Sequence, residues 1–456
     1  MGKSVTKDMT QGSPLKLILQ FFLPLLLGML FQQFYTLMDT IIVGKFLGVK
    51  ALAAVGATGS INFMIIGFCM GICNGFAIPV AQQFGAKNYT YLRKYVANSV
   101  WLAIAFAAVL TIAVCILCRN ILVWMNTPSD IIDKSYEFIF IIFLGIPMTY
   151  LYNLLSGIIR SLGDSKAPLV FLVISSLINV ALDCFTILVL HLGVRGAGIS
   201  TVTAQGISGL LCYLYIKKKF DILKISKEEW KMDPYCMKQL CIVGVPMGLQ
   251  YSITAIGSVI LQTSVNTLGS MYVAAVTAGS RISMFFCCPF DAFGSTMATY
   301  AGQNVGAGKI NRVSKGMKSC CMLGFLYSIV ACMVLVSFGG QIALLFVNRS
   351  DTEVLHNVRL FLMANSLFYF PLALVNIIRF TIQGLGYSSL AILSGVSEMI
   401  ARILVAVVFV SHYGYIAACF ASPVAWVFAD IFLIPAFLFV TSRLRKKFKK
   451  GMPLVL

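Results

Sequence analysis

The chain has 456 residues, of which 59% are hydrophobic and only 11% are charged, and its mean hydropathy is +0.89. Because an ordinary soluble domain carries about 25% charged residues, this composition excludes a water-soluble enzyme. The net charge of +19 would suit a nucleic-acid surface only if the basic residues shared a solvated face. Their positions along the chain therefore decide between a membrane protein and a nucleic-acid binder.

Twelve apolar stretches follow one another with short connections, and each reaches the roughly 20 residues that a helix needs to cross a bilayer. They predict an all-α membrane protein. The predicted spans are 15–43, 51–80, 96–118, 135–157, 168–190, 194–216, 239–267, 273–301, 317–347, 357–380, 390–411 and 415–441. The charged segment 217–238 is predicted to be a cytoplasmic linker, and 442–456 a basic cytoplasmic tail.

Most lysines and arginines fall in alternate connections between these spans. The opposite connections contain only Lys45, Lys50, Arg119, Lys134, Arg195, Arg349 and Arg359. Since basic residues mark cytoplasmic loops, this asymmetry predicts a multi-pass protein of the cell (inner) membrane with both termini in the cytoplasm. It also accounts for the net charge without a nucleic-acid partner. Two basic residues, Arg281 and Arg402, are predicted to lie within spans.

An internal duplication relates the two halves of the chain. One constant shift superposes Ala53-Ala54-Val55 on Ala274-Ala275-Val276, and small gaps allow it to pair Pro24 with Pro246 and Gly193 with Gly414. The chain is thus predicted to form two six-helix lobes, 1–216 and 239–441. Because six is even, both repeats begin on the cytoplasmic side and are parallel copies, as in alternating-access transporters with a central cleft.

Pro24 lies inside the first span, where proline removes an intrahelical hydrogen bond and bends the helix. It is interpreted either as a working hinge or as a fixed bend that shapes the bundle.

Five acidic residues are predicted inside spans, and each opposes insertion at the midplane by about 2.5 to 3.5 kcal/mol unless it is paired, protonated or solvated. They are Asp39, Asp183, Asp291, Glu398 and Asp430. Glu398 has Arg402 four residues later, which predicts an ion pair on one helical face. Asp291 is expected to find any partner on another span. Asp430 is predicted to be protonated or to face a lipid headgroup.

Asp39 and Asp183 have no basic residue within a helical turn, but Tyr35 and Asn179 precede them by four residues. That spacing places each oxygen-bearing side chain on the face of its carboxylate. Two carboxylates with neutral oxygens can bind a proton or a hard cation such as Na⁺. A purely structural hydrogen-bond network is the alternative. Thr201 and Thr203 could add hydroxyl groups, although such threonines usually bond to their own backbone.

Three segments resemble the multidrug and toxic compound extrusion (MATE) family of bacterial transporters. They are Gln33-Phe34-Tyr35-x-x-x-Asp39, Asn179-x-x-x-Asp183 and Gly302-Gln303-Asn304-x-Gly306-Ala307. The resemblance implies a twelve-helix antiporter that exports organic, often cationic, compounds in exchange for Na⁺ or H⁺ and needs no cofactor.

The resemblance also implies roles for particular residues. A cation site in the first lobe maps onto Asp39, Asn179, Asp183 and Thr201, the cavity residues are Tyr35, Gln33 and Asn153, and the bending proline is Pro24. The chain departs from some members of the family, because span 7 offers only Gln250, Gln262 and Asn266 in place of an acidic residue. A different charge set in the second lobe comprises Asp291, Glu398, Arg402 and Arg281.

Two other functions remain open at this point. A flippase of lipid-linked saccharides, from a related branch of the superfamily, predicts a positively charged cavity, for which Arg281 and Arg402 are the only candidates. A membrane-embedded enzyme is disfavoured because the chain has three histidines and no metal-ligand cluster. The expected partners are small organic cations and the lipid bilayer, and the expected state is a monomer.

Overall fold

The computed structural model describes residues 6–125 and 127–450, apart from the side chain of Val49. This described part contains sixteen α-helices and no strand. The helices are α1 (Pro14–Leu47), α2 (Val49–Ala57), α3 (Gly59–Gly85), α4 (Tyr89–Trp124), α5 (Ile132–Leu144), α6 (Ile146–Ser161), α7 (Lys166–Cys184), α8 (Val194–Lys219), α9 (Pro234–Asn266), α10 (Ser270–Gly306), α11 (Ile310–Ala343), α12 (Thr352–Ser366), α13 (Tyr369–Gly384), α14 (Ser388–Leu404), α15 (Val410–Tyr413) and α16 (Tyr415–Lys449). Short π-helical turns, Phe185–Val189 and Val405–Phe409, follow α7 and α14, and a 3₁₀ turn spans Asp221–Leu223.

The predicted all-helical membrane fold is confirmed. Among the described helices, ten are long and apolar enough to cross a membrane, and the pairs α5–α6 and α12–α13 bring the spans to twelve if each pair is one bent span. The pairs bend by 45° and 49°. Pro147 and Pro371 lie in the first turns after these bends, and because proline has no N–H, neither can donate a helical hydrogen bond back across the break.

The duplication is visible in the backbone as well as in the sequence. Gly163 and Gly386 have φ angles of 88° and 89°, and Gly193 and Gly414 have φ angles of 61° and 58°. Only glycine adopts such left-handed conformations without strain. The bent pairs and the π-helical turns recur at matching places, so corresponding turns in the two halves have the same geometry.

The described residues divide into two compact units. The first contains residues 6–8 and Leu23–Gly248, and the second contains Met9–Phe22 and 249–450. The chain therefore passes from one unit to the other inside α1 and inside α9, whereas the sequence analysis placed the boundary in the connection 217–238. That connection belongs to the first unit.

The connection 217–238 is fixed against α4. Arg93 pairs with Glu229 at 2.7 Å, the Trp101 indole donates to the Trp230 carbonyl at 3.0 Å, and the main-chain N–H of Asp233 donates to Asn98. The Arg93 guanidinium, helped by the main-chain N–H of Ser226, lowers the pKa of Glu229 to about 2. The linker is consequently an ordered part of the first unit.

In the first unit, the first part of α9 packs closely on α3. A Cβ atom added to Gly75 would lie only 2.4 Å from the Cα of Gly244, and one added to Gly71 would lie 2.6 Å from the Met247 carbonyl oxygen. Small residues permit this close approach of helices in membranes. The segment 234–248 thus completes the helix packing of the first unit.

In the second unit, the first part of α1 packs on α10. Phe22 stacks on Phe293 with ring centroids 4.1 Å apart. The main chain of Met9 donates to the Gln303 side chain at 2.8 Å and accepts from Asn304 at 3.2 Å. Part of the motif Gly302-Gln303-Asn304 therefore fixes the N-terminal segment in place.

Candidate cation site in the first unit

Three helices of the first unit position the predicted cation site. Helix α1 carries Tyr35 and Asp39, α7 carries Asn179 and Asp183, and α8 carries Thr201. Asn179 and Asp183 are each only 1% exposed, whereas Asp39 is half-buried. The four-residue spacings read from the sequence therefore bring both pairs to the interior of one unit.

Asn179 links α1 to α8 through its side-chain amide. With the amide nitrogen facing Asp39, the orientation that satisfies both ends, it donates to Asp39 Oδ1 at 2.8 Å and its oxygen accepts from the Thr201 N–H at 3.2 Å. Hydrogen bonds of this kind favour the ionised carboxylate over the protonated one. Asn179 thus stabilises a negative charge on Asp39.

Asp183 is buried and unsatisfied. Neither of its carboxyl oxygens has a hydrogen-bond partner of good geometry among the described residues, although Asp39 and the Ser200 hydroxyl are its polar neighbours. No lysine, arginine or histidine in the described part of the chain pairs with Asp39 or Asp183. A buried carboxylate without a partner is costly, so this pair needs a proton or a cation.

The local helix geometry at Asp183 is unusual. Asp183 lies in the last turn of α7, directly before the π-helical turn Phe185–Val189, and such turns occur often at functional sites. Within that turn, Thr186 is 3.1 Å from the hydroxyl of Ser200. The π turn therefore joins the end of α7 to α8 beside the carboxylate.

Tyr35 adjoins the carboxylate pair. Its hydroxyl is an electrostatic neighbour of Asp39, Asp183 and Tyr152. The sequence analysis missed Tyr152 and Ser200, because no spacing along one helix connects them to the aspartates. The Tyr35 phenol is a neutral hydrogen-bond donor beside two carboxyl groups, so its hydrogen bonding can change when their charge changes.

The second unit contains a different set of buried charges, which we name the second-unit charge cluster: Arg379, Glu398, Arg402 and Asp430. Arg379 on α13 forms an ion pair with Glu398 on α14, and its Nε donates to Ser394 at 2.9 Å. Arg402 reaches Glu398 Oε2 at 3.4 Å, which confirms the predicted i, i+4 pair. Asp291 on α10, an exposed residue, has Arg379 as its electrostatic neighbour from another span.

The cluster corrects two expectations. Arg379 is buried within α13, although the sequence analysis counted this residue, at the end of the predicted span 357–380, with the connection that follows and not among the basic residues inside spans. Asp430 is buried and is an electrostatic neighbour of Arg379, so the headgroup-facing alternative given for it is wrong, and the protonated alternative stays a prediction. Arg281 is exposed and lies outside the cluster.

Comparison with known proteins decides the family. The family model MatE matches residues 24–185 and 246–408, together well over half of the chain and once in each repeat. The chain belongs to the MATE family. The two matches correspond to the two halves of the duplication seen in the sequence and backbone.

Relatives and solved structures support this MATE assignment. The chain is 28% identical over 76% of its length to the probable multidrug resistance protein YoeA of Bacillus subtilis, covering 77% of that protein. It is 29% identical over 81% of its length to the probable multidrug resistance protein YpnP of the same organism, covering 82% of it. A solved outward-facing multidrug resistance MATE transporter of the MOP superfamily shares the fold, with a TM-score of 0.90, 21% identity and coverage of 98% and 99% of the two chains.

The other residues predicted for the MATE cation site contribute in different ways. The Thr201 hydroxyl donates to the Ala197 carbonyl at 3.0 Å, so its main-chain N–H, rather than its hydroxyl hydrogen, joins the network. Asn153 donates to the Thr149 carbonyl of its own helix at 2.8 Å. Gln33 is half-buried and points to a different side of α1 from Tyr35, because residues two apart on a helix diverge. Cavity roles for Asn153 and Gln33 stay predictions.

Two further features bear on what this MATE protein could bind. In the described residues, no group of three or more His, Cys, Asp or Glu side chains could hold a metal ion. An apolar groove of about 430 Å³ lies on α11 beside the break between α12 and α13. It is lined by no acidic or basic residue and is separate from the carboxylate pair.

Proposed function

We propose that this MATE protein is a secondary active antiporter that exports small organic cations in exchange for Na⁺ or H⁺ by alternating access. The observation that carries the proposal is the pair Asp39 and Asp183. Among the described residues, the buried carboxyl group of Asp183 has no hydrogen-bond partner of good geometry, adjoins the carboxyl group of Asp39 and pairs with no basic side chain. Such a pair is stable only when a proton or a cation compensates its charge.

Competition between the coupling ion and the substrate for this pair of carboxylates couples the transport of one to the transport of the other. When both carboxylates are ionised, they attract a cationic substrate, whose apolar body suits the surrounding apolar helices. A proton or Na⁺ that enters from outside neutralises the same carboxylates and lowers their affinity for the substrate. Since the coupling ion and the substrate cannot both compensate one charge, each displaces the other.

Two prolines support a moving backbone. Pro24 and Pro246, which are matched by the duplication, lie inside α1 and α9 close to the positions at which the chain passes from one compact unit to the other. A proline at such a position weakens the helix locally. We assign Pro24 as a hinge, with Pro246 as its counterpart in the second repeat.

The flippase alternative has less support in this structure. It requires unpaired basic side chains that can bind a pyrophosphate, yet Arg402 and Arg379 are both paired with Glu398. Arg281 is exposed and is a single charge. The first unit offers carboxylates to a ligand instead, which favours a cation over an anion.

The test is efflux of a fluorescent organic cation from proteoliposomes, with Na⁺ and pH gradients imposed separately. Asp39→Asn and Asp183→Asn are expected to abolish the acceleration of efflux by whichever gradient drives the wild-type protein. Asp351→Asn is the matched control, because Asp351 is exposed and caps α12 without a side-chain hydrogen bond. Gradient-driven efflux that survives both site variants would refute the proposal.

A further inference from the structure

The second-unit charge cluster is buried. Its four residues are at most 7% exposed. Helix α13 contributes Arg379, α14 contributes Glu398 and Arg402, and α16 contributes Asp430. Charges at such depth are expensive in a membrane protein, where they usually serve a function.

Two atoms of the cluster are left without partners. Asp430 Oδ1 and Arg402 Nη1 are buried and form no hydrogen bond within the described part of the chain. An ionised carboxylate with an unsatisfied oxygen would be strongly destabilising, whereas a protonated one is neutral and tolerates this environment. Asp430 therefore suits the protonated form in this arrangement.

The balance of charge leads to the same assignment. Glu398 compensates one of the two arginines, so one positive charge is left over. Two carboxyl groups, Asp430 and Asp291, adjoin Arg379 and could compensate it, which is one more than neutrality needs. Asp291 is exposed whereas Asp430 is buried, and because burial disfavours the charged form of a carboxyl group, we assign the proton to Asp430.

We propose that the second-unit charge cluster is a second proton-binding site, in which Asp430 holds the proton and Arg379 exchanges Glu398 for Asp430 when the proton leaves. The Asp430 carboxylic acid releases its proton to water and becomes a carboxylate. Arg379 then pairs with Asp430, and Arg402, which has a spare donor in Nη1, keeps Glu398 compensated. Each arginine then has one carboxylate. The O–H bond of Asp430 is the one covalent bond that breaks, and the ion pair between Arg379 and Glu398 is replaced by one between Arg379 and Asp430.

The surroundings of Asp430 contain few groups that would compete with it for the proton. The charged and titratable side chains that are electrostatic neighbours of it or of its partners are Tyr251 on α9, Asp291 on α10, Cys321 on α11, Arg379 on α13, and Glu398 and Arg402 on α14. Of the helices that pack on α16, α12 and α15 present no titratable side chain to Asp430 in the described contacts. A change in charge at Asp430 therefore acts electrostatically mainly on Arg379.

The chain supplies its own reporter for this exchange. Trp426 lies four residues before Asp430 on α16, hence on the same helical face, and it is buried beside Tyr369. Replacement of Trp101, Trp124 and Trp230 by phenylalanine would leave Trp426 as the sole tryptophan. Its emission in nanodiscs can then be titrated with pH, while infrared difference spectra record the carbonyl band of a protonated carboxyl group.

We expect a sigmoidal change in Trp426 emission and a carboxyl band that disappears at high pH. Asp430→Asn should remove both signals. Glu398→Gln should free Arg379 for Asp430 and move the midpoint of the titration to lower pH by about 1 to 3 units, the effect of an opposite charge within a few ångströms. A purely structural cluster predicts flat emission and no shift in Glu398→Gln, and that result would overturn the proposal even if Asp430→Asn failed to fold.

The inference stands apart from the proposed function of the first unit. In the double variant Asp39→Asn/Asp183→Asn, the Trp426 titration should persist although gradient-driven efflux is lost. If the titration disappears with the two aspartates of the first unit, the signal belongs to them and the second site is refuted. If efflux is insensitive to those aspartates while the titration persists, the proposed function fails and the second site is retained.

Discussion

The hydrogen bond from Asn179 to Asp39 predicts a measurable pH dependence for the binding of the organic cation. Replacement of Asn179 by leucine keeps a side chain of similar size but removes the 2.8 Å donor from the carboxylate. A hydrogen bond to a charged group contributes about 1.5 to 3 kcal/mol, and about 1.4 kcal/mol corresponds to one pH unit. If the bond acts on the ionised form, protons should displace the organic cation from the variant at a pH about 1 to 2 units higher than from the wild-type protein.

The assay is equilibrium binding of a fluorescent organic cation to the protein in nanodiscs across a pH series, without a gradient. Asn365→Leu is the matched control, because Asn365 is also a buried asparagine but donates to the carbonyls of Phe361 and Cys419 in the second unit. The pH at which half of the cation is displaced from this control variant should stay at the wild-type value. An unmoved midpoint in Asn179→Leu, in a protein that still binds the cation at high pH, would refute the role given to this hydrogen bond.

Three further predictions concern the backbone and the ordered segments. Pro24→Ala should restore the missing helical hydrogen bond in α1 and slow efflux at least several-fold, while equilibrium binding of the cation is unchanged; reduced binding would argue against a hinge. Glu229→Gln should lower the Tm at neutral pH by removing the ion pair with Arg93, which is worth about 1 kcal/mol or less. Because the folded pKa of Glu229 is about 2, below its ordinary value of about 4.3, this stabilisation is fully present above the ordinary value and is lost as the pH falls towards 2, so the difference in Tm should shrink with acidification. Gln303→Ala should release the main chain of Met9 and increase proteolytic cleavage of the N-terminal segment, and an unchanged cleavage rate would contradict the contact.

The spans could be predicted from the sequence because the bilayer imposes a length and a polarity on every helix. The bends in the α5–α6 and α12–α13 pairs were not predicted, since hydropathy averaged over a window of residues carries no information about the direction of the helix axis. The boundary between the two units was also missed. It falls within α1 and α9, which are continuous apolar helices, and composition does not reveal which half of a helix packs on which neighbours.

The first-unit site was largely predictable because Tyr35 with Asp39, and Asn179 with Asp183, are related by spacing along a single helix. Ser200 and Tyr152 belong to the same surroundings through contacts between helices, which no local spacing reports. The burial of Arg379 could not be predicted for the same reason. Arg379 lies near the end of an apolar stretch, where its sequence neighbours indicate the end of a helix. Its burial follows from partners on α14 and α16.

The passage of the chain between units has a consequence for biosynthesis. The segment Met9–Phe22 is synthesised before the rest of the first repeat, yet the residues on which it packs, such as Phe293 and Gln303, are made only after the whole first repeat. Conversely, residues 234–248 are needed to finish the first unit. A fragment intended to assemble as that unit should therefore extend through Gly248 rather than stop at the end of the sixth span, and the first turns of α1 must wait in the translocon or lipid until late in translation.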